Sequence, residues 1–422
     1  MERNRAGAYW LASERVVAAL VGLLTTFLVA RFMGPVDFGT FAFIFASIGL
    51  GLAAGQLGMD SLLVRSFVKS DRPNGDIIGT AILIKAIANV ISFGVVVVIV
   101  FATIDGSQTE LRILMLSASV FALSSVTTVL GSWFKAREEF RSLFNVRVIA
   151  AIVSLAAKVA VVAFDLSIVA MAAAHILYFV METVVCFVLF TRRKGAPVRS
   201  WIFDRSIAGD LFSRGLPLFF GTMVAATYMN IDMIMLRFYW DARTVGEYAL
   251  IPQMLNAVQI IPYAITSAAF PAILALVGQN SDRDAAALCR RIYGQLLLFS
   301  VAALLLVVFV VRPLTPLVFG AEYEAALTPM LVAALAIPII FMRHLGTKLF
   351  VAHSIRYDFV KMELAGLAAN IFLNLLLIPL YAGVGAAIAT GMAYFVSTIV
   401  MAFVFKRSRA IFLPILRPLG RG

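Results

Sequence analysis

Charge is what this chain has least of. Only 14% of its 422 residues are charged while 62% are hydrophobic, and the mean hydropathy is +0.97. A water-soluble domain carries about 25% charged residues, and no enlarged core absorbs so wide a deficit, so the apolar excess must face lipid. Cysteine and histidine are also scarce: there are two cysteines, Cys186 and Cys289, and three histidines. With no CxxC pair and no HExxH, neither a disulfide framework nor a metal site is expected. No GxxxxGK[ST] phosphate loop occurs, which argues against ATP hydrolysis by this chain. Strand-type alternation is missing from runs such as 90–104 and 296–311, which excludes a transmembrane β-barrel. Long hydrophilic outer loops are missing too, and a membrane glycosyltransferase, polymerase or ligase would need one to hold its catalytic site.

What is present is a succession of apolar runs, each near the 20 or so residues that a helix needs to cross a bilayer. Spans are predicted near 10–32, 38–62, 77–103, 109–132, 144–165, 167–190, 212–238, 246–277, 291–311, 325–350, 358–380 and 383–405. The expected fold class is an all-α polytopic membrane protein with about 12 transmembrane helices. The loops test that count. Of the 35 Lys and Arg residues, 28 fall on one side of the arrangement and five on the other. The rich side receives Arg3, Arg5 and Arg15, then clusters around Arg65–Arg72, Lys135–Arg147, Arg192–Arg214, Arg283–Arg291, Arg343–Lys361 and the C-terminal Lys406–Arg421. Basic loops stay cytoplasmic, so both termini are expected inside. The same distribution makes the net charge of +12 a topology signal and not a nucleic-acid footprint. The first span lacks a small-residue cleavage site and reads as a retained helix.

The richest loop divides six spans from six, giving an N-lobe at 1–195, a cytoplasmic linker at 196–211 and a C-lobe at 212–422 with a basic tail. The halves echo each other: Arg31-Phe32-Met33-Gly34 before Phe38-Gly39-Thr40-Phe41, and Arg237-Phe238-Tyr239-Trp240 before Val245-Gly246-Glu247-Tyr248. Tyr178-Phe179-Val180 likewise matches Tyr394-Phe395-Val396. Both halves begin inside, so the expected relation is a parallel pseudo-two-fold repeat.

These segments carry a family resemblance. ARFMGPVDFGTFAF (residues 30–43), YMNIDMIMLRFYWDARTVGEYAL (228–250) and NLLLIPLYAGVGAAIAT (374–390) resemble turns of polysaccharide flippases in the multidrug/oligosaccharidyl-lipid/polysaccharide exporter superfamily. The resemblance implies two six-helix lobes around a central cavity, alternating access, and a polyprenyl-pyrophosphate-linked glycan as cargo. Lipid II flippases of that superfamily have fourteen spans and a charged pair inside the first helix. Here Glu14-Arg15 lies only near the cytoplasmic end. The early intramembrane acid of the drug exporters is missing as well.

Charges inside spans are expensive and therefore candidate site residues. Lys85 in span three and Lys158 in span five lie roughly 13 and 20 Å from the cytoplasmic ends of their helices. Both are candidate cations for the diphosphate, with snorkelling as the plain alternative for Lys85. Asn89 shares the face of Lys85. Glu182 in span six has three competing readings: a structural ion pair, an ion-coupling site for H+ or Na+, and a sugar contact. Asp232 near the outer end of span seven is a second coupling candidate, or a helix-end partner of Arg237. His175 reads as a hydrogen-bonded packing histidine, with a titrating switch as the alternative. In span eight Asn256, Gln259, Tyr263 and Ser267 form one polar stripe, beside Pro252, Pro262 and Pro271, each able to kink a helix. That stripe fits a cavity wall or ordinary interhelical hydrogen bonding. Asn370 and Asn374 on span eleven read as packing residues. Arg31 and Arg237, at matching outer positions, would receive the emerging diphosphate or anchor the interface. Arg343 and Lys348 could attract an anionic headgroup.

The function expected is a flippase moving an undecaprenyl-pyrophosphate-linked oligosaccharide of O-antigen, capsule or exopolysaccharide across the bacterial inner membrane, with no cofactor beyond a coupling ion. Its partners would be that lipid-linked glycan, membrane lipids and other polysaccharide-assembly proteins. The alternatives are a cation-coupled multidrug exporter of the same superfamily and a membrane-embedded glycan-assembly enzyme.

Overall fold

The computed structural model describes residues 2–69, 72–103, 108–279 and 281–416, and among these every regular element is a helix. Of the basic residues that set the orientation, Arg417 and Arg421 lie outside the described residues, as do the side chains of Arg3, Arg5, Arg15 and Arg356. The chain divides into two compact units, Met1–Asn230 and Ile231–Gly422.

The first unit runs through α1 (Glu2–Gly55), α2 (Asp60–Lys69), α3 (Asn74–Thr103), α4 (Gln108–Ala136), α5 (Phe140–Ala163) and α6 (Ile168–Arg192) into α7 (Arg205–Tyr239). Helix α1 is really two spans. Gly34 breaks it with φ 78 and ψ 175, a conformation that is essentially reserved for glycine, and Pro35 behind it lacks the N–H that would continue the ladder. The second unit holds the rest of α7, then α8 (Ala242–Val258), α9 (Ile260–Gly278), α10 (Asp282–Leu306), α11 (Arg312–Phe319), α12 (Leu327–Ala334), α13 (Ile337–Ala352), α14 (Arg356–Phe395), α15 (Met401–Val404) and α16 (Lys406–Leu416). Helix α14 also covers two spans, broken at Ala382 (φ 49, ψ −128).

Nine helices among the described residues are long and apolar enough to cross a membrane, or ten when the pair Ala321–Ala334 and Ile337–Ala352, bent by 46°, is taken as one span. The breaks at Gly34 and Ala382 each divide one of these into two, which gives the twelve spans read from the sequence. The chain is a multi-pass membrane protein.

Three local expectations need correction. Span two, expected to run to residue 62, stops with α1 at Gly55, and the chain restarts as the short α2. Span eight is not one helix: α8 ends at Val258 and α9 begins at Ile260, because Pro262 has no N–H to give the carbonyl one turn earlier. The segment 196–211, expected as a cytoplasmic linker, packs onto the first unit. Trp201 packs edge-on against Phe187 and Phe190, and its indole N–H donates to the Ala196 carbonyl at 3.0 Å. Ile207 and Leu211 enter the same buried cluster as Trp133, Phe134 and Phe190. The boundary between the units thus falls inside α7, beyond the expected linker.

Candidate functional site

The intramembrane charges turn inward, and each unit has its own set. In the first unit Lys85 of α3 is 1% exposed. Its ammonium donates to Asp60 Oδ1 at 2.6 Å and to Thr128 Oγ1 at 3.1 Å. The snorkelling alternative is therefore wrong: the charge is satisfied by the carboxylate that opens α2. One turn on, the Asn89 amide N–H donates to the Phe121 carbonyl at 3.0 Å and to Ser124 Oγ at 2.9 Å. Its Oδ1 has no hydrogen-bond partner and faces Gly55, where an added Cβ would collide with it. Lys85 and Asn89 do share one face, as their spacing predicts.

Lys158 of α5 is a different kind of cation. It is 2% exposed, and its ammonium donates to a single hydroxyl, Thr25 Oγ1 of α1, at 3.0 Å. No carboxylate among the described residues pairs with it. His175 packs against Phe41 and Phe45 with ring centroids 5.3 and 4.4 Å away, so the packing part of its reading is seen and the expected hydrogen bond at Nδ1 is not. Its Nδ1 has no partner. Of the three readings for Glu182, the structure shows the ion pair. Arg147 Nε donates to Glu182 Oε1 at 3.1 Å, and its Nη1 reaches Glu14 of α1. Arg147, placed among the loop residues by the sequence, sits well inside α5 (Phe140–Ala163) and ties α1, α5 and α6 together.

In the second unit the centre is Asp232, 7% exposed. The expected helix-end role beside Arg237 is not what the structure shows. The carboxylate accepts from Tyr248 Oη of α8 at 2.8 Å, and from Asn374 Nδ2 and Thr390 Oγ1 of α14 at 2.7 and 2.5 Å. Asn374 Nδ2 also donates to Asn370 Oδ1 at 3.2 Å, and Asn370 Nδ2 donates to Thr390 Oγ1 at 3.3 Å. All of these partners are neutral. Asn370 and Asn374, read as packing residues, belong to this set. Tyr248 and Thr390 join it too, and sequence reasoning missed both. The i, i+4 spacing of the two asparagines on an apolar helix was the available signal.

The span-eight stripe is divided by the break at Gln259. Asn256 is exposed, Gln259 Oε1 lies 3.3 Å from His344 Nε2, and the Tyr263 ring lies 5.9 Å from the Lys348 ammonium. Lys348 also lies 5.2 Å from the Phe270 ring. Arg343 is held by Glu363, with Nη2 donating to Oε1 at 2.7 Å, and by Ser397 Oγ at 2.9 Å, so it braces the second unit. Arg31 is exposed just before the Gly34 break that ends the first span. Arg237 is half-buried near the end of α7. Beyond it Asp241 caps α8, accepting from the Thr244 N–H at 2.9 Å. That backbone bond, helped by the Thr244 hydroxyl and by Arg237 and Arg243, holds the Asp241 carboxyl below its ordinary range. Among the described residues no group of three or more His, Cys, Asp or Glu side chains is placed to hold a metal.

Comparison with known proteins places this architecture. A lipid II flippase, MurJ, in an inward closed conformation superposes with a TM-score of 0.70 at 13% identity, covering 94% of this chain and 87% of that one. A multidrug resistance transporter of the MATE family in an inward-facing conformation gives 0.73 at 11% identity, covering 95% and 99%. The MATE multidrug transporter DinF-BH gives 0.64 at 18% identity, covering 98% and 96%. At these identities the likeness is one of fold. No curated protein sequence matches the chain. The family profile described as "Polysaccharide biosynthesis protein" matches residues 5–277, more than half of the chain. With that match the chain belongs to the polysaccharide biosynthesis protein family, and it shares the fold of these flippase and transporter structures.

Proposed function

We propose that the protein is an ion-coupled flippase that carries a polyprenyl-pyrophosphate-linked oligosaccharide from the cytoplasmic to the outer leaflet of a bacterial inner membrane. The family match supports a lipid-linked saccharide as cargo. The observation that carries the coupling is Asp232, a buried carboxylate whose hydrogen-bond donors Tyr248, Asn374 and Thr390 are all neutral. A charge buried without a counter-ion is costly, and binding a proton or a sodium ion removes that cost. Hydroxyl and amide oxygens of Tyr248, Thr390 and Asn374 stand within the same set, so either ion finds ligands there. Lys158, the cation without a carboxylate, is the group best placed to meet the diphosphate.

The exporter alternative relies on Glu182 as its essential acid, and that acid is bound to Arg147.

The test is reconstitution in vesicles with a labelled undecaprenyl-pyrophosphate-linked glycan in the inner leaflet, under imposed proton or sodium gradients. The native chain is expected to move the label, and Asp232→Asn to abolish the gradient dependence while leaving the fold intact. Label that stays in its starting leaflet under every gradient refutes the reading, and unchanged coupling in Asp232→Asn removes Asp232 from it.

A further inference from the structure

The basic side of the first unit carries a pocket of about 380 Å³ that none of the residues discussed above requires. Its cationic walls come from three places: Arg65 and Lys69 on α2, Arg72 just ahead of α3, and Arg214 on α7. Two of these charges are already used. Arg214 Nε pairs with Asp210 Oδ1 at 2.6 Å, and Arg72 Nη1 pairs with Asp204 Oδ1 at 3.3 Å. No carboxylate among the described residues pairs with Arg65 or Lys69. Among the described residues the pocket therefore keeps two positive charges in excess.

The frame around those charges is fixed by contacts in which they take no part. The turn before α2 lies directly on α7: Gly58 has φ +65, and a Cβ there would stand 2.5 Å from the Phe219 amide nitrogen. A Cβ on Gly215 would meet the Leu57 carbonyl at 2.9 Å. On the other wall the Asp204 backbone N–H donates to Thr80 Oγ1 of α3 at 2.8 Å. The floor is Ile77, Ile207 and Leu211, all part of the buried core cluster. Arg65 and Lys69 are exposed on α2, so an arriving anion meets both without breaking an ion pair, and a backbone frame already in place spares part of the ordering cost of binding. Arg with Lys around a concave site is the donor set that phosphate oxygens favour.

We propose that this pocket binds a phosphate-bearing anion, either the diphosphate of an isoprenyl-linked lipid or the headgroup of an anionic phospholipid. The volume lies within the range of small-molecule sites, roughly 300–1,000 Å³. Anion binding stands on the pocket itself. Its role as a place where cargo docks before transport rests on the flippase reading.

The experiment uses the full chain in phosphatidylcholine nanodiscs, with inorganic pyrophosphate, geranylgeranyl diphosphate and added phosphatidylglycerol as probes. Saturable pyrophosphate binding is expected, falling as ionic strength rises. Arg65→Gln with Lys69→Gln should weaken it by at least about tenfold. Ser66→Glu, which leaves all four cations in place but adds a negative charge to the pocket lining, should do the same. Lys406→Gln with Arg407→Gln, at the far end of the chain, should leave it unchanged. Tighter binding of geranylgeranyl diphosphate than of pyrophosphate identifies the isoprenyl lipid as the source. Displacement of pyrophosphate by phosphatidylglycerol identifies the bilayer. The proposal falls if the native chain binds no probe, if both pocket variants bind as well as the native chain, or if the control variant loses as much. Retained pyrophosphate binding in a chain that fails to flip glycan leaves the pocket standing and overturns the transport reading alone.

Discussion

Two lysines buried to nearly the same extent should answer oppositely to the same substitution. Lys85→Met strips Asp60 of its partner, and a broken buried pair costs about 3–5 kcal/mol. Because the Asp60 side chain is 40% exposed, water recovers part of that, and a loss of about 2 kcal/mol is expected. Lys158→Met removes a charge whose hydrogen-bond partner is one hydroxyl, so thermal melting should stay level or rise while glycan translocation falls. Melting curves and transport assays on the two variants separate the brace from the proposed cargo contact. At the turn between α7 and α8, Asp241→Ala removes the cap of α8 and should cost about 1 kcal/mol. The carboxyl is held below its ordinary range when folded, so its stabilisation is complete above that range. It is lost as pH falls through the lowered value, and the variant should show a flatter acid limb in the melting profile. Lys85, Lys158 and Asp232 were legible as candidates because charge is so rare inside the spans. Their partners were not. Asp232 finds Tyr248, Asn374 and Thr390 at 16, 142 and 158 residues' distance along the chain, and no local pattern encodes that.

Breaks within helices were legible only where the chemistry is local. Gly34-Pro35 announces its turn, since one residue supplies the conformation and the next removes the donor. Gly34→Ala should therefore cost about 1–3 kcal/mol and lower the yield of folded protein in detergent. Gly22→Ala, where a Cβ meets nothing within 4 Å, is the matched control and should be neutral or slightly stabilising. A kink in span eight was legible in Pro262, but its place at Gln259 was not, because the polar stripe of that span has helical spacing straight through it. Pro262 acts one turn upstream of itself, so periodicity continued where hydrogen bonding did not. Helix α2 was hidden for a related reason. Its apolar face extends the pattern of the span before it, and only the positive φ of Leu57 and Gly58 separates them.

For the whole molecule, alternation of basic and neutral loops was enough to count twelve spans, because lipid forces every crossing to be helical and regular. The place where the first unit ends was beyond that argument. A loop rich in Arg and Lys looks like a tether, yet Trp201, Ile207 and Leu211 complete the buried cluster of the preceding helices. During synthesis, then, the first six spans cannot finish packing when they leave the translocon; they wait for roughly twenty further residues to emerge from the ribosome. A gene divided after codon 195 should yield an amino-terminal fragment that proteases degrade, and the same fragment extended through codon 230 should survive longer in a pulse-chase.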